Sequence, residues 1–197
     1  DVGVKLSVLL IPASLASQLM ADYEYVGQHF HMPQIVIHGT SFDNVGRGSE
    51  RVPLLPNAPI CHVVKYSLLQ RPEATAWLEG QLKPQAIIAD EAHKLRDILH
   101  GATTSRVKRY MDDHPETKFI SLSGSMMKKQ LTDMDHLSDW GLKSGSPLPR
   151  NKEITTDWSR AVDPTNRNQA DGGALLDLCA PGEDLITGFR RRLAETC

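Results

Sequence analysis

Five short apolar runs, each followed by a stretch of helical or turn character, constrain what this chain can fold into more than any other feature. The runs are Leu6–Ile11, Ile35–His38, Ile60–Tyr66, Ala86–Ala89 and Phe119–Leu122. Runs this brief and continuous read as strands buried on both faces, and their alternation with helices predicts a parallel sheet. Leu15, Leu19, Tyr23 and Val26 recur at helical spacing after the first run. Ser67 and Pro72 open a helix carrying Trp77 and Leu78, and Thr103–Ser105 opens one with Val107, Tyr110 and Met111 that His114-Pro115 stops. Met127, Leu131, Met134 and Leu137 predict one face of a further helix ending at Gly141. The expectation is an α/β fold with a doubly wound parallel sheet, whose ligands bind outside the carboxyl ends of the strands.

The pattern changes after this. Gly39–Pro59 is rich in Gly, Ser, Asn and Pro and reads as a loop. From Ser144 to Gly182, Pro147, Pro149, Pro164, Pro181 and Gly172-Gly173 interrupt any period, which predicts an irregular segment. A last helix is expected over Glu183–Glu195, with Leu185, Ile186, Phe189 and Leu193 inward and Arg190–Arg192 near its C-terminal end. The domain reading is a sheet domain over 1–142 and an irregular extension or connection over 143–197.

Composition narrows the function. Of 197 residues, 40% are hydrophobic, enough for one sizeable core, and 22 basic against 24 acidic residues exclude a polybasic nucleic-acid-binding domain. The three cysteines, Cys61, Cys179 and Cys197, form no C-x-x-C pair, which argues against a disulfide framework or a cysteine-rich zinc site. No run approaches a membrane span, and Asp1-Val-Gly-Val-Lys5 is not a signal peptide. A soluble intracellular protein is expected, cytoplasmic or associated with nucleoid or nucleus, with no membrane partner.

The chemistry concentrates in Ala86-Ile-Ile-Ala-Asp-Glu-Ala-His93. An apolar strand ending in two adjacent carboxylates puts both at the mouth of a parallel sheet. There one acid can hold magnesium through its water shell and the other can accept a proton from an attacking water. This is the Walker B arrangement of a nucleotide hydrolase. The plainer reading is that Asp90 and Glu91 only open a helix, where acids suit the dipole.

Asp90-Glu91-Ala92-His93 resembles motif II of the DEAH-type (DEXH-box) helicases and translocases of superfamily two, and the flanking order agrees. Ile11-Pro-Ala-Ser-Leu-Ala-Ser-Gln18 looks like motif Ia of that family. Val63-Val-Lys-Tyr-Ser-Leu-Leu69 resembles its segment with a strand ending in Tyr. Phe119-Ile-Ser-Leu-Ser-Gly-Ser125 looks like motif III, with Ser123-Gly124-Ser125 in place of Ser-Ala-Thr. The resemblance spans residues 6 to about 140. It implies a first RecA-like domain of P-loop NTPase fold that uses ATP and Mg2+ to move along DNA or RNA. It further implies that Asp90 positions magnesium, Glu91 orients or deprotonates water, and His93 links the nucleotide site to Ser123, Gly124 and Ser125. Pro12, Leu15 and Gln18 would lie in the region that contacts a nucleic-acid backbone.

One departure matters. The phosphate-cradling G-x-x-x-x-G-K-[ST] is missing, since the sequence has no Gly-Lys pair and Gly46-Arg-Gly48 and Gly141-Leu-Lys-Ser-Gly145 have the wrong order. In the family that loop precedes motif Ia. The chain is therefore expected to be an internal fragment without its P-loop strand, an exposed edge where that strand should pair, and without the second RecA-like domain. Alone it is expected not to turn over ATP. The rival readings are a RecA-like module that lost catalysis and binds nucleic acid or a protein, and a nuclease-associated ATPase sharing Asp90 and Glu91.

Other residues weigh less. His29-Phe-His31 lacks a third ligand for a metal, and Asp133-Met-Asp135 fits a solvated helix face. Arg106-Lys108-Arg109, Lys128-Lys129 and Arg190–Arg192 could bind phosphate but read as charged helix faces. Trp77 and Trp140 fit helix packing, while Trp158, in the irregular segment, is a candidate for stacking on bases.

Overall fold

In the computed structural model, which describes residues 3–42, 57–96, 101–124, 130–162 and 173–196, the chain divides into two compact units, Asp1–Gly124 and Ser125–Cys197. Among the described residues the first holds five strands: β1 (Leu6–Ile11), β2 (Gln34–Ile37), β3 (Ile60–Lys65), β4 (Ala86–Asp90) and β5 (Lys118–Leu122). All pair in parallel, in the order β2-β3-β1-β4-β5. The five apolar runs are thus the five strands of a mixed α/β unit. Apolar content at nearly every position of β1 and β4, all but Ser7 and the terminal Asp90, suits their place in the middle of the sheet. Val8, Leu10, Ile87, Ala89 and Phe119 form a buried layer on one face, where alternate residues of neighbouring strands meet. On β5, a sheet edge among the described residues, Ile120 and Leu122 stand 45% and 49% exposed.

The connections follow the sequence signals with local departures. A 3-10 turn (Ala13–Leu15) and helix α1 (Leu19–Gly27) follow β1, and helix α2 (Ala102–Asp113) lies between β4 and β5, ending at His114 as the His-Pro pair predicts. The segment carrying Trp77 and Leu78 winds as a wider π-helical stretch, Ala76–Leu82, closed by Lys83 in the left-handed region. Pro84 follows directly and bars further helix. The loop read over Gly39–Pro59 falls mostly outside the described residues.

The basic cluster on α2 is a set of local pairs. Arg106 donates to Thr75 Oγ1 at 2.8 Å and to the Leu69 carbonyl, Arg109 pairs with Glu79 at 2.6 Å, and Lys108 pairs with Asp112 one turn on. Lys128-Lys129 lie outside the described residues.

The second unit is more helical than its proline content suggests. The helix expected over 127–141 begins only at Asp135: α3 is Asp135–Leu142, preceded by a 3-10 turn, Leu131–Asp133. The turn is set by Gln130 and Asp133, whose side chains reciprocally cap each other's backbone N–H, so Asp133 caps rather than faces solvent on a helix. Within the stretch read as irregular lies α4 (Lys152–Val162). Its start is fixed by the Asn151 side chain, which accepts the Glu153 N–H at 2.8 Å. The prolines flank this helix rather than enter it. A short α5 (Gly173–Leu176) and α6 (Leu185–Thr196) complete the unit.

Trp158, on α4, is 2% exposed and packs with Leu131, Leu148, Leu175 and Phe189 in the core of this unit. The stacking role expected for Trp158 is therefore corrected: the indole is a core side chain. Two of the three α6 arginines, Arg191 and Arg192, are also engaged. Arg191 bonds Glu183, Glu195 and the Leu178 carbonyl, and Arg192 donates to the Pro147 carbonyl at 2.7 Å with its guanidinium 5.8 Å from the Trp158 ring. Among the described residues no helix is long and apolar enough to cross a membrane.

Candidate functional site at the carboxyl ends of the strands

The sheet order singles out one place. The chain leaving β1 runs to the β2 side of the sheet, and the chain leaving β4 runs to the β5 side. The adjacent ends of β1 and β4 therefore form the switch point where open parallel sheets leave a crevice for ligands. A cleft of about 440 Å3 opens there, lined by Ile11, Leu15, Gln18, Leu19, Asp90 and Leu122 among others. Leu15 and Gln18 thus share a cleft with Asp90. Pro12 is buried, Leu15 half-buried and Gln18 exposed, so of these three Gln18 is the side chain that reaches solvent.

The turn after β4 has unusual geometry. Glu91 sits in the left-handed region, at φ 53° and ψ 51°, a conformation costing a non-glycine residue roughly 1–2 kcal/mol. It ends the ladder abruptly and turns the chain into a 3-10 turn, Ala92–Leu95. Asp90 Oδ1 accepts the Glu91 N–H at 3.0 Å. The Glu91 carboxylate lies 3.0 Å from His93 Nδ1 and accepts from Ser123 Oγ at 3.4 Å, while His93 Nδ1 and Ser123 Oγ are 3.2 Å apart. The residues expected to act together after β4 and β5 are thus assembled, apart from Gly124, which no contact ties to the cluster, and Ser125, which lies outside the described residues.

An acid, a histidine and a serine in contact invite the reading of a serine-nucleophile triad, and their arrangement does not match one. Glu91 and Ser123 both meet the same ring nitrogen, Nδ1, so the imidazole cannot take a proton from serine on one nitrogen while the acid orients the other. A cysteine nucleophile finds no support at Cys61, where burial pushes the thiol up and disfavours the thiolate.

Magnesium takes one or two carboxylates and keeps several waters, and the partly buried Asp90 lines the cleft with a carboxylate of that kind. The phosphates of a nucleotide require a glycine-rich cradle with Lys, which these residues do not supply.

Sequence reasoning missed Tyr66 as part of this site. Its hydroxyl donates to the Asp90 carbonyl at 2.7 Å, spanning from the end of β3 past β1 to β4. The signal available was an aromatic residue at the end of a strand, which is not specific alone.

A second buried polar group lies apart from the cleft. His38, 1% exposed, contacts His62 with Nε2 and Nδ1 2.8 Å apart, and rests edge-on to Trp77. Burial, then the neighbouring His62, lowers the His38 pKa from 6.5 to about 4, and burial lowers His62 in the same direction. The unfolded chain thus binds protons that the folded one refuses, so stability present above pH 6.5 is lost as pH falls toward 4. A shift of this size corresponds to a loss on the order of a few kcal/mol for the pair together. Urea unfolding at pH 7 and pH 4.5 is expected to show the fall in wild type and a flatter response in His38→Leu. Equal slopes would contradict the assignment.

No protein-family model matches this chain, and no curated protein matches it either.

Proposed function

We propose that this chain belongs to the first RecA-like domain, of P-loop NTPase fold, of a superfamily two helicase or translocase that couples ATP hydrolysis to movement on DNA or RNA. The observation that carries the reading is the pair Asp90 and Glu91 at the switch point, with Glu91 turned by its left-handed backbone onto His93 and Ser123. The place of β5 at the end of the strand order among the described residues also suits it, because a further parallel strand such as the one that carries a phosphate-binding loop would extend the sheet there.

Bound magnesium would neutralise charge on the phosphates of ATP. The chain's own residues do the rest. Asp90 would hold the ion's water shell at the mouth of the cleft. Glu91 orients the attacking water and accepts its proton. His93, in contact with both Glu91 and Ser123, makes the position of Ser123 depend on the state of Glu91. Gln18, exposed on the cleft beside Asp90, faces the nucleic-acid backbone. The phosphate cradle comes from another segment of the complete protein.

The absent Gly-Lys pair favours one second reading, a module that retains the fold and binds nucleic acid or protein without catalysis. Linkage separates the two. In a motor, ATP and ADP states differ in nucleic-acid affinity by about fivefold or more. Affinity of the complete protein for single- and double-stranded DNA and RNA, titrated with ADP and with a non-hydrolysable ATP analogue, is expected to show that difference. Identical affinities in every nucleotide state would leave the binding module.

A further inference from the structure

Two buried tyrosines tie down the two ends of β4. Tyr110 donates to the Pro84 carbonyl at 2.9 Å before the strand begins, and Tyr66 donates to the Asp90 carbonyl at 2.7 Å where it ends. The second bond has the harder task. The left-handed step at Glu91 turns the chain directly after the last carbonyl of β4, the one that Tyr66 meets. Tyr66 is itself held at two further points. Its N–H donates to the Ile11 carbonyl at 3.2 Å, and its carbonyl accepts from Thr103 Oγ1 at 3.1 Å at the start of α2. One side chain and its backbone thereby join the end of β1, the turn after β4 and the first turn of α2.

We propose that Tyr66 is a positioning residue for the Glu91 carboxylate, fixing the Asp90–Glu91 peptide and tying it through Ile11 to the Pro12–Gln18 segment. A shift of that segment is then felt at Glu91, which gives nucleic acid bound beside Gln18 a physical route to the rate of hydrolysis. Burial, reinforced by the nearby charges of Asp90 and Glu91, raises the Tyr66 pKa well above the ordinary tyrosine value, so the hydroxyl remains a donor at all working pH. The catalytic part of this proposal rests on the motor reading; the positioning part rests on the hydrogen bonds alone.

The test compares Tyr66→Phe with Tyr110→Phe in the complete protein, since each removes one buried hydroxyl bonded to a carbonyl at one end of β4. Hydrogen exchange across residues 90–96 is expected to rise about tenfold in Tyr66→Phe and to stay unchanged in Tyr110→Phe, where Thr117 Oγ1 still donates to the Pro84 carbonyl. The kcat for ATP is expected to fall about tenfold or more in Tyr66→Phe alone, with KM unchanged and with less stimulation by nucleic acid. Equal exchange at 90–96 in the two variants would overturn the positioning role, as would loosened exchange with kcat and stimulation intact. Loosened exchange in Tyr66→Phe beside a wild type that turns over no ATP would uphold the positioning and discard the motor reading. Thr103→Val, which frees only the Tyr66 carbonyl, is expected to loosen the same residues to a smaller degree and serves if Tyr66→Phe does not fold.

Discussion

Replacing Glu91 with Gln is expected to lower ATP turnover by the complete protein by a factor of about 10²–10⁴, while binding of Mg·ATP stays intact. The substitution preserves size and the left-handed backbone, so nothing in the fold need change. The Gln amide oxygen can still accept from Ser123, which lies 3.4 Å from the Glu91 carboxylate. What is lost is an anion able to take a proton from water and to pair with His93 when that ring is protonated. Loss of kcat with KM retained therefore isolates proton acceptance from binding. Turnover within about twofold of wild type would show that water is activated elsewhere.

Trp158→Ala is expected to cost about 3–5 kcal/mol of the stability of the second unit, the usual range for removing a large aromatic from a core. The indole is 2% exposed and meets the Phe189 ring edge-on at a centroid distance of 6.3 Å, with Arg192 over it. Its removal leaves a cavity facing Leu131, Leu148 and Leu175, and strips the Arg192 guanidinium of its aromatic partner. Denaturant unfolding, followed by a probe in residues 130–196, reads this directly. A stability loss under about 1 kcal/mol together with weakened nucleic-acid binding would return Trp158 to a stacking role.

Much of the first unit was legible because strand signals were strong where burial is strong. Leu6–Ile11 and Ala86–Ala89 are apolar at nearly every position because neighbours cover both sides, and such runs announce themselves. The order of the strands was not legible, since hydrophobic runs do not say which of them is central. The second unit was read less well. Asn151 and the spacing of Ile154, Trp158 and Ala161 mark a helix, but the surrounding prolines outweighed them as signals. Residues that cap were read as residues that face solvent, as with Asp133, because capping depends on where the helix starts rather than on composition.

At the site, residue identities were readable and their geometry was not. Asp90, Glu91, His93 and Ser123 stood out by type and order. The left-handed Glu91, the shared contact on His93 Nδ1 and the reach of Tyr66 to Asp90 arise from a tight turn and from long-range pairing, which leave no periodic trace.

The central claim is that Glu91 activates water for ATP hydrolysis in a nucleic-acid-driven motor. Its most direct test is magnesium-dependent phosphate release by the complete protein, with and without single- and double-stranded DNA or RNA, in wild type and Glu91→Gln side by side. The account predicts turnover that rises with one of these nucleic acids in wild type and falls by a factor of about 10² or more in the variant. Turnover that ignores nucleic acid, or that survives the loss of the Glu91 carboxylate, would contradict it.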